Sequence, residues 1–276
     1  MESTDIFFPQ FLPYSFPYYS YIIEWKNQAF NNFVASVQPP LDAQFKEIQE
    51  VWERSSTCAL LKQKLTFQKG FRKVNKVLCF ALGDMVPTFR YGRYGTLYQA
   101  RGAKPDIMRC SMSQHAVALT IGAAFRSTTA ANVEILAHNP DYSPASKALL
   151  KSLGISVVGE HGAGGFSEIV DDSVVFFYYP NFPLSEIIAD IARPAMIIRS
   201  DRTYVLDNID RGIRCFPYPA NAETPRVREM WKDYTEYDFE IMDRDRHALT
   251  GLKSFKIHIR NDITGGPCNS ERKEKN

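Results

Sequence analysis

The chain has 276 residues, of which 45% are hydrophobic, 23% charged and 13% aromatic, enough apolar content to bury one substantial core. Its 33 Lys and Arg against 31 Asp and Glu leave a formal charge of +2, which excludes the global basic field of an obligate nucleic-acid coat or membrane binder. No apolar run approaches the roughly 18 residues of a spanning helix, and the N-terminus lacks the basic-then-apolar order of a secretory signal, so the expected compartment is cytoplasm or nucleus, with no membrane.

Residues 1–40 crowd Phe7, Phe8, Phe11, Tyr14, Phe16, Tyr18, Tyr19, Tyr21, Trp25 and Phe30 into a stretch broken by Pro9, Pro13 and Pro17. Aromatic side chains bury large areas and make poor solvated tails, so this arm is expected to pack on the main domain or to meet a protein partner through residues 7–30. Pro39 and Pro40 close the arm. Asp42 then stands where a long helix to about Leu65 would be capped, and Phe45, Ile48, Val51, Trp52, Ala59 and Leu60 give that helix an apolar stripe. Lys62, Lys64, Lys69, Arg72, Lys73 and Lys76 follow as a local basic run with no acidic residue among them, which reads as a solvated helix end or, less simply, as a phosphate or nucleic-acid contact.

Beyond it the pattern becomes α/β alternation. VNKVLCFAL (74–82) is a nearly continuous apolar run ending in Gly83, as expected of a strand buried on both faces. A helix is expected over 106–125, a strand over 133–137, a helix from Ser143 or Ser146 to Leu153 with Gly154 as its left-handed stop, and a short strand over 155–158. SVVFFYY (173–179) reads as a fourth strand, 184–191 as a helix and 195–198 as a fifth strand. Such alternation implies right-handed crossovers and a Rossmann-like, doubly wound, mainly parallel sheet. After Asp201 the regularity fades into an edge strand near 215–218, a short helix over 226–231, an alternating strand over 255–259 that closes one side, and a frayed tail over 264–276. The expected division is an aromatic arm (1–40), a helix plus the α/β domain (41–210) and an irregular C-terminal extension (211–276).

Five widely spaced cysteines without a C-x-x-C pair, and five scattered histidines without H-E-x-x-H spacing, support neither a disulfide framework nor a metal site. Cys79, in mid-strand, reads as a small buried hydrophobe. In an open α/β sheet ligands bind outside the carboxyl ends of the strands, so the informative residues follow the apolar runs: Gly83 and Asp84, then His138 to Asp141, then Pro180 and Asn181, then Arg199 to Asp201. Gly83 resembles a shortened dinucleotide loop, although G-x-G-x-x-G is absent, and Asp141 stands where an acidic group takes a ribose hydroxyl or else is a turn residue of N-P-D. The segment 86–109 inserts Arg90, Arg93, Arg101, Lys104 and Arg109 among Phe89, Tyr91, Tyr94 and Tyr98, basic groups for phosphate beside rings that stack a base, or else a solvated insertion. The expected ligand pocket therefore comprises Gly83, Asp84, Gln114, Asn139, Asp141, Asn181 and Ser200, with Arg90 and Arg93 holding phosphate. Asp84 and His115 are the candidates for proton handling, His115 reading otherwise as a satisfied core or surface histidine.

With these strand ends in view, residues 74–205 resemble the Sensitivity to Red light Reduced-like domain family of eukaryotes. The resemblance rests on VLCFALGDM (77–85), SQHAVAL (113–119), ILAHNPDYSPASKALLKSLGISVV (135–158), FFYYPNF (176–182) and MIIRSD (196–201). The chain departs from the family pattern in three places. Asn181 and Phe182 replace the His and Cys of a Pro-His-Cys ending, Asn139-Pro140 stands for Asp-Pro, and Ile198-Arg199-Ser200 stands for Gly-Asn-Ser. The resemblance implies a Rossmann-like protein with regulatory roles and no settled reaction. Three functions are consistent with the sequence: a regulatory or ligand-sensing module; a transferase on a nucleotide, S-adenosylmethionine or aminoacyl-RNA type of substrate; and a partner-binding protein using the aromatic arm. A small phosphate-bearing ligand and RNA are both candidate partners.

Overall fold

Lys76–Phe80 (β1), Glu134–His138 (β2), Ile155–Val157 (β3), Ser173–Phe177 (β4) and Met196–Ser200 (β5) are short strands, of which β4 and β5 are buried along their whole length. In this computed structural model the described residues are 40–66, 71, 73–86, 105–129, 132–140, 142–159, 163–180, 182–200, 221, 223–249 and 252–264. Two further strands, Tyr234–Phe239 (β6) and Phe255–Arg260 (β7), complete a seven-stranded sheet in the order β3-β2-β1-β4-β5-β7-β6. The first five strands run parallel, and β7 is antiparallel to both β5 and β6. The aromatic arm, Lys69, Arg72, the 87–104 insertion, the 215–218 segment and the tail beyond 264 lie outside the described residues.

Helices cover both faces of the sheet, as a doubly wound fold requires. On one face Val77, Cys79, Ile135, Ala137, Val174, Phe176, Met196 and Ile198 pack against Leu41–Arg54 (α1), Ser56–Thr66 (α2), Pro105–Thr128 (α3) and Pro144–Ser152 (α4). On the other Leu78, Phe80, Leu136, Val175, Phe177 and Ile197 meet Leu184–Ile191 (α5) and Pro225–Trp231 (α6). Every residue of β4 is buried, which is why its sequence shows no alternation. Burial likewise pushes the Cys79 thiol far up, consistent with a packing role.

The expected single helix over 42–65 is two helices. Ser55 interrupts it in extended geometry, its N–H closing on the Trp52 carbonyl at 3.0 Å and its Oγ accepting from Cys58 N at 3.0 Å, so one serine ends α1 and caps α2. The start of α2 is held from far along the chain, where the Asp245 carboxylate accepts from Thr57 N and Thr57 Oγ1, both at 2.7 Å. Asp42 lies in the first turn of α1 rather than at its cap, where Pro40 stands. Ser143 does cap α4, accepting from Ser146 N, and Gly154 takes the left-handed geometry after it.

Beyond 211 the chain adds β6 and β7 to the sheet. The alternating strand expected at 255–259 is internal, flanked by β5 and β6, and the edge is β6, which the sequence reading omitted. Its sequence YTEYDF exposes its four central residues and so lacks the buried alternation that marks a strand.

Candidate functional site

Strand order reverses at β1, which lies between β2 and β4, and the crevice of such a sheet opens at the carboxyl ends of β1 and β4. Phe80 ends β1 in register with His138 of β2 and Phe177 of β4, so three chain segments leave the sheet side by side. The β1 exit turns left-handed at Ala81 (φ 58°) and again at Gly83 (φ 77°), which is why the strand stops short of the apolar run. The β4 exit does the same at Tyr179 (φ 46°). Tyr178 N donates to Phe80 O at 3.4 Å and Tyr179 N to Ser200 Oγ at 3.2 Å, tying β1, β4 and β5 together at their ends. Tyr178 and Tyr179 pack edge to face at 5.0 Å, and the Tyr178 hydroxyl accepts from Lys253 N.

On the α3 side, Gly83 lies so close to Ser111 that a Cβ there would collide with the Ser111 hydroxyl. Asp84 accepts from Ser143 N at 3.3 Å and Ser143 Oγ at 3.1 Å, fastening the β1 exit to the start of α4. Met85 N reinforces this by donating to Ser146 Oγ at 3.3 Å. Gln114 is buried in α3 and donates to Cys110 Sγ at 2.9 Å. His115 is fully buried in α3 against Tyr142, which precedes α4. Its Nδ1 must carry the proton to meet the Ser111 carbonyl at 2.7 Å, so Nε2 accepts from the Tyr142 hydroxyl at 2.8 Å. Burial lowers its pKa to about 4 and raises that of Tyr142, so both stay neutral at physiological pH.

The structure thus gathers Gly83, Asp84 and Ser200 at the strand ends, with Ser200 spent on holding the Tyr179 turn, while Gln114 and His115 are inside the α3 packing. Asn139 follows β2 and is half-buried, its carbonyl accepting from Tyr142 N. Arg90, Arg93, Asp141 and Asn181 lie outside the described residues. Among the described residues no group of three or more His, Cys, Asp or Glu is placed to hold a metal, and no helix is long and apolar enough to cross a membrane.

Sequence reasoning missed Ala81, Ser111, Ser143 and Tyr179 as parts of this edge, and it placed His138 after β2 without assigning it a role. His138 is the last residue of β2 and only 6% exposed. It borders Phe80 (5.5 Å between ring centroids) and Phe166 (5.1 Å), and Phe166 in turn meets Phe182 at 5.6 Å. The available signal was a polar, ring-bearing residue closing an otherwise apolar run.

The parallel order with helices on both faces defines a Rossmann-like α/β protein. Residues 44–249 match the model of the SRR1 domain, and the chain belongs to that family. No curated protein matches the sequence. Among solved structures, the chain is similar to the cofactor-bound Rv0187 from MTB, with 12% identity, a TM-score of 0.36, and 84% of this chain and 94% of that chain covered. It is also similar to the O-methyltransferase from Bacillus cereus in complex with SAH, with 8% identity, a TM-score of 0.39, and 84% and 96% covered. The Thermoplasma acidophilum 1320 protein is similar at 11% identity and a TM-score of 0.33, over 78% of this chain and 96% of that one.

Proposed function

We propose that this SRR1 domain is a ligand-sensing regulatory module that takes a small molecule in the crevice between the β1 and β4 exits. The observation that carries the reading is the pair of non-glycine residues Ala81 and Tyr179, both left-handed, at the ends of adjacent strands. Each such conformation costs on the order of 1–3 kcal/mol and persists only where its surroundings over-determine it, a condition that clusters at ligand sites. Here the surroundings are the Phe80 carbonyl and the Ser200 hydroxyl. Asp84 connects the same turn to α4, which gives occupancy of the crevice a direct route to a helix on the sheet's face. Sensing is favoured over proton transfer because both nitrogens of His115 are already bonded inside the fold and Asp84 is engaged by the α4 cap.

The test is native mass spectrometry of the purified chain followed by thermal shift against S-adenosylmethionine, mononucleotides and dinucleotides. A melting rise that grows with ligand concentration, and that shrinks in Gly83→Val, supports the reading. Absence of both a retained mass and any shift overturns it.

A further inference from the structure

His138 is more than nine-tenths buried, yet only one of its two ring nitrogens is used. Nδ1 lies 3.2 Å from the Val158 carbonyl, which can only accept, so Nδ1 carries the proton and Nε2 presents a lone pair. Nε2 has no partner among the described residues, and it is not among the fully buried unpaired atoms, so a face of it reaches the surface. A buried ring's acceptor left open in this way is paired by water or by a ligand.

The chain makes unusual room for this ring. Gly159, itself left-handed at φ 71°, and Gly165 both press on the imidazole, and a Cβ at either would collide with it. Two glycines six positions apart, closing on one histidine, are a cradle that fixes the ring's plane, while the Val158 carbonyl fixes its tautomer. The ring sits at the carboxyl end of β2, next to Phe80 at the end of β1, beside the half-buried Phe166 and Phe182. In nucleotide-binding sheets of this winding, the carboxyl end of β2 is where the sugar hydroxyls arrive, taken there by a carboxylate.

We infer that His138 Nε2 accepts a hydrogen bond from a sugar hydroxyl of a ribonucleoside-type ligand whose base lies toward Phe166 and Phe182. This deepens the crevice reading above and rests on it. A neutral acceptor in place of a carboxylate takes a hydroxyl donor and offers nothing to a phosphate, so the ligand has a free ribose at this position.

The experiment uses the full chain with adenosine and 2′,3′-dideoxyadenosine, which differ only in the hydroxyls. Long-range proton–nitrogen spectra follow the His138 ring nitrogens, assigned by their loss in His138→Gln, and the Tyr179 amide reports the crevice. The expected result is that adenosine moves both signals and binds about five- to tenfold more tightly than the dideoxy compound, the worth of one neutral hydrogen bond. In His138→Leu the two nucleosides bind alike. If adenosine moves Tyr179 but leaves the His138 nitrogens in place, or if the two compounds bind equally to the wild-type chain, the acceptor role is overturned and the crevice reading stands. If neither compound moves any signal at the strand ends, the ligand assignment falls, and the crevice reading then depends on the wider screen alone. The comparison of two ligands on the wild-type chain decides the matter even where His138→Leu fails to fold.

Discussion

Asp84 and Ser143, 59 residues apart, are joined by two hydrogen bonds, so that the exit of the central strand and the N-terminus of α4 are fixed by the same carboxylate. Ser143 also caps α4. Ser143→Ala therefore loses the cap, about 1 kcal/mol, together with one bond to Asp84. Asp84→Ala leaves the cap in place but removes the clamp. Because the two act on one network, their costs should not add, and the double variant is expected to be less destabilised than the sum of the singles by about 0.5 kcal/mol or more. Urea unfolding of the three variants checks this, and strict additivity would show that the clamp carries no energy.

Gly83 faces two constraints that separate experimentally. Its φ of 77° disfavours any side chain by about 1 kcal/mol, and a Cβ would also strike the Ser111 hydroxyl. Gly154 has the same conformation (φ 75°) with nothing within 4 Å of the added Cβ. Gly83→Ala is expected to cost about twice as much as Gly154→Ala, and Ser111→Gly should recover the difference without recovering the conformational part. Thermal or chemical denaturation of the four chains gives the answer. Equal costs at the two glycines would mean that the Ser111 contact yields freely.

The five parallel strands were legible because strands covered on both faces must be apolar throughout, and β1 and β4 meet that condition without a polar interruption. The helix break at Ser55 was not legible, since the apolar stripe from Phe45 to Leu60 runs straight through it. What fixes the second helix is Asp245, 188 residues away. β6 escaped because an edge strand needs only its ends buried, and Thr235, Glu236, Tyr237 and Asp238 face solvent. At the strand ends, the sequence put Gly83, Asp84 and Ser200 where the structure has them. His115 stood open between a base at the sheet edge and a satisfied core or surface ring, and α3, covered all round from Ser111 to Ala118, makes it an interior hydrogen-bonded ring.

Acid should destabilise the chain through its buried histidines before the carboxylates titrate. His115 is lowered to about 4 and His258 lower still, both chiefly by burial, whereas in the unfolded chain each titrates near 6.5. The unfolded state thus binds more protons between those values. Stability is complete above about pH 6.5 and falls as the pH drops toward 4, by about 1.4 kcal/mol per pH unit for each imidazole. Unfolding free energies measured from pH 7 to 5 should show this slope, and His115→Gln should reduce it by one proton. A slope unchanged in that variant would place the His115 pKa near its ordinary value.

Arg199 sets up the last prediction, because it is a buried cation whose main partner is neutral. Its Nε donates to His258 Nε2 at 2.9 Å, its guanidinium lies 5.2 Å from the centre of the Trp231 ring, and Glu223 (3.3 Å) and Glu236 (3.8 Å) approach from the more exposed side. His258 itself stacks on Trp231 at 4.2 Å. The arrangement needs an unprotonated imidazole, and after burial the positive charge of Arg199 is the next largest cause of the lowered His258 pKa, with Lys256 third. Removing the guanidinium should therefore act in two ways. Arg199→Met leaves the buried His258 Nε2 without its donor, while Glu236 keeps Lys256, and is expected to cost about 2 kcal/mol. The same variant should raise the His258 pKa, since one of the two charges opposing its protonation is gone. Arg199→Lys restores charge but not the flat fork that donates to the imidazole while lying against the indole, so it should recover little of the stability. Denaturation together with an imidazole titration by NMR separates the two effects. A His258 pKa that does not move in Arg199→Met would mean that burial and Lys256 hold it down without Arg199.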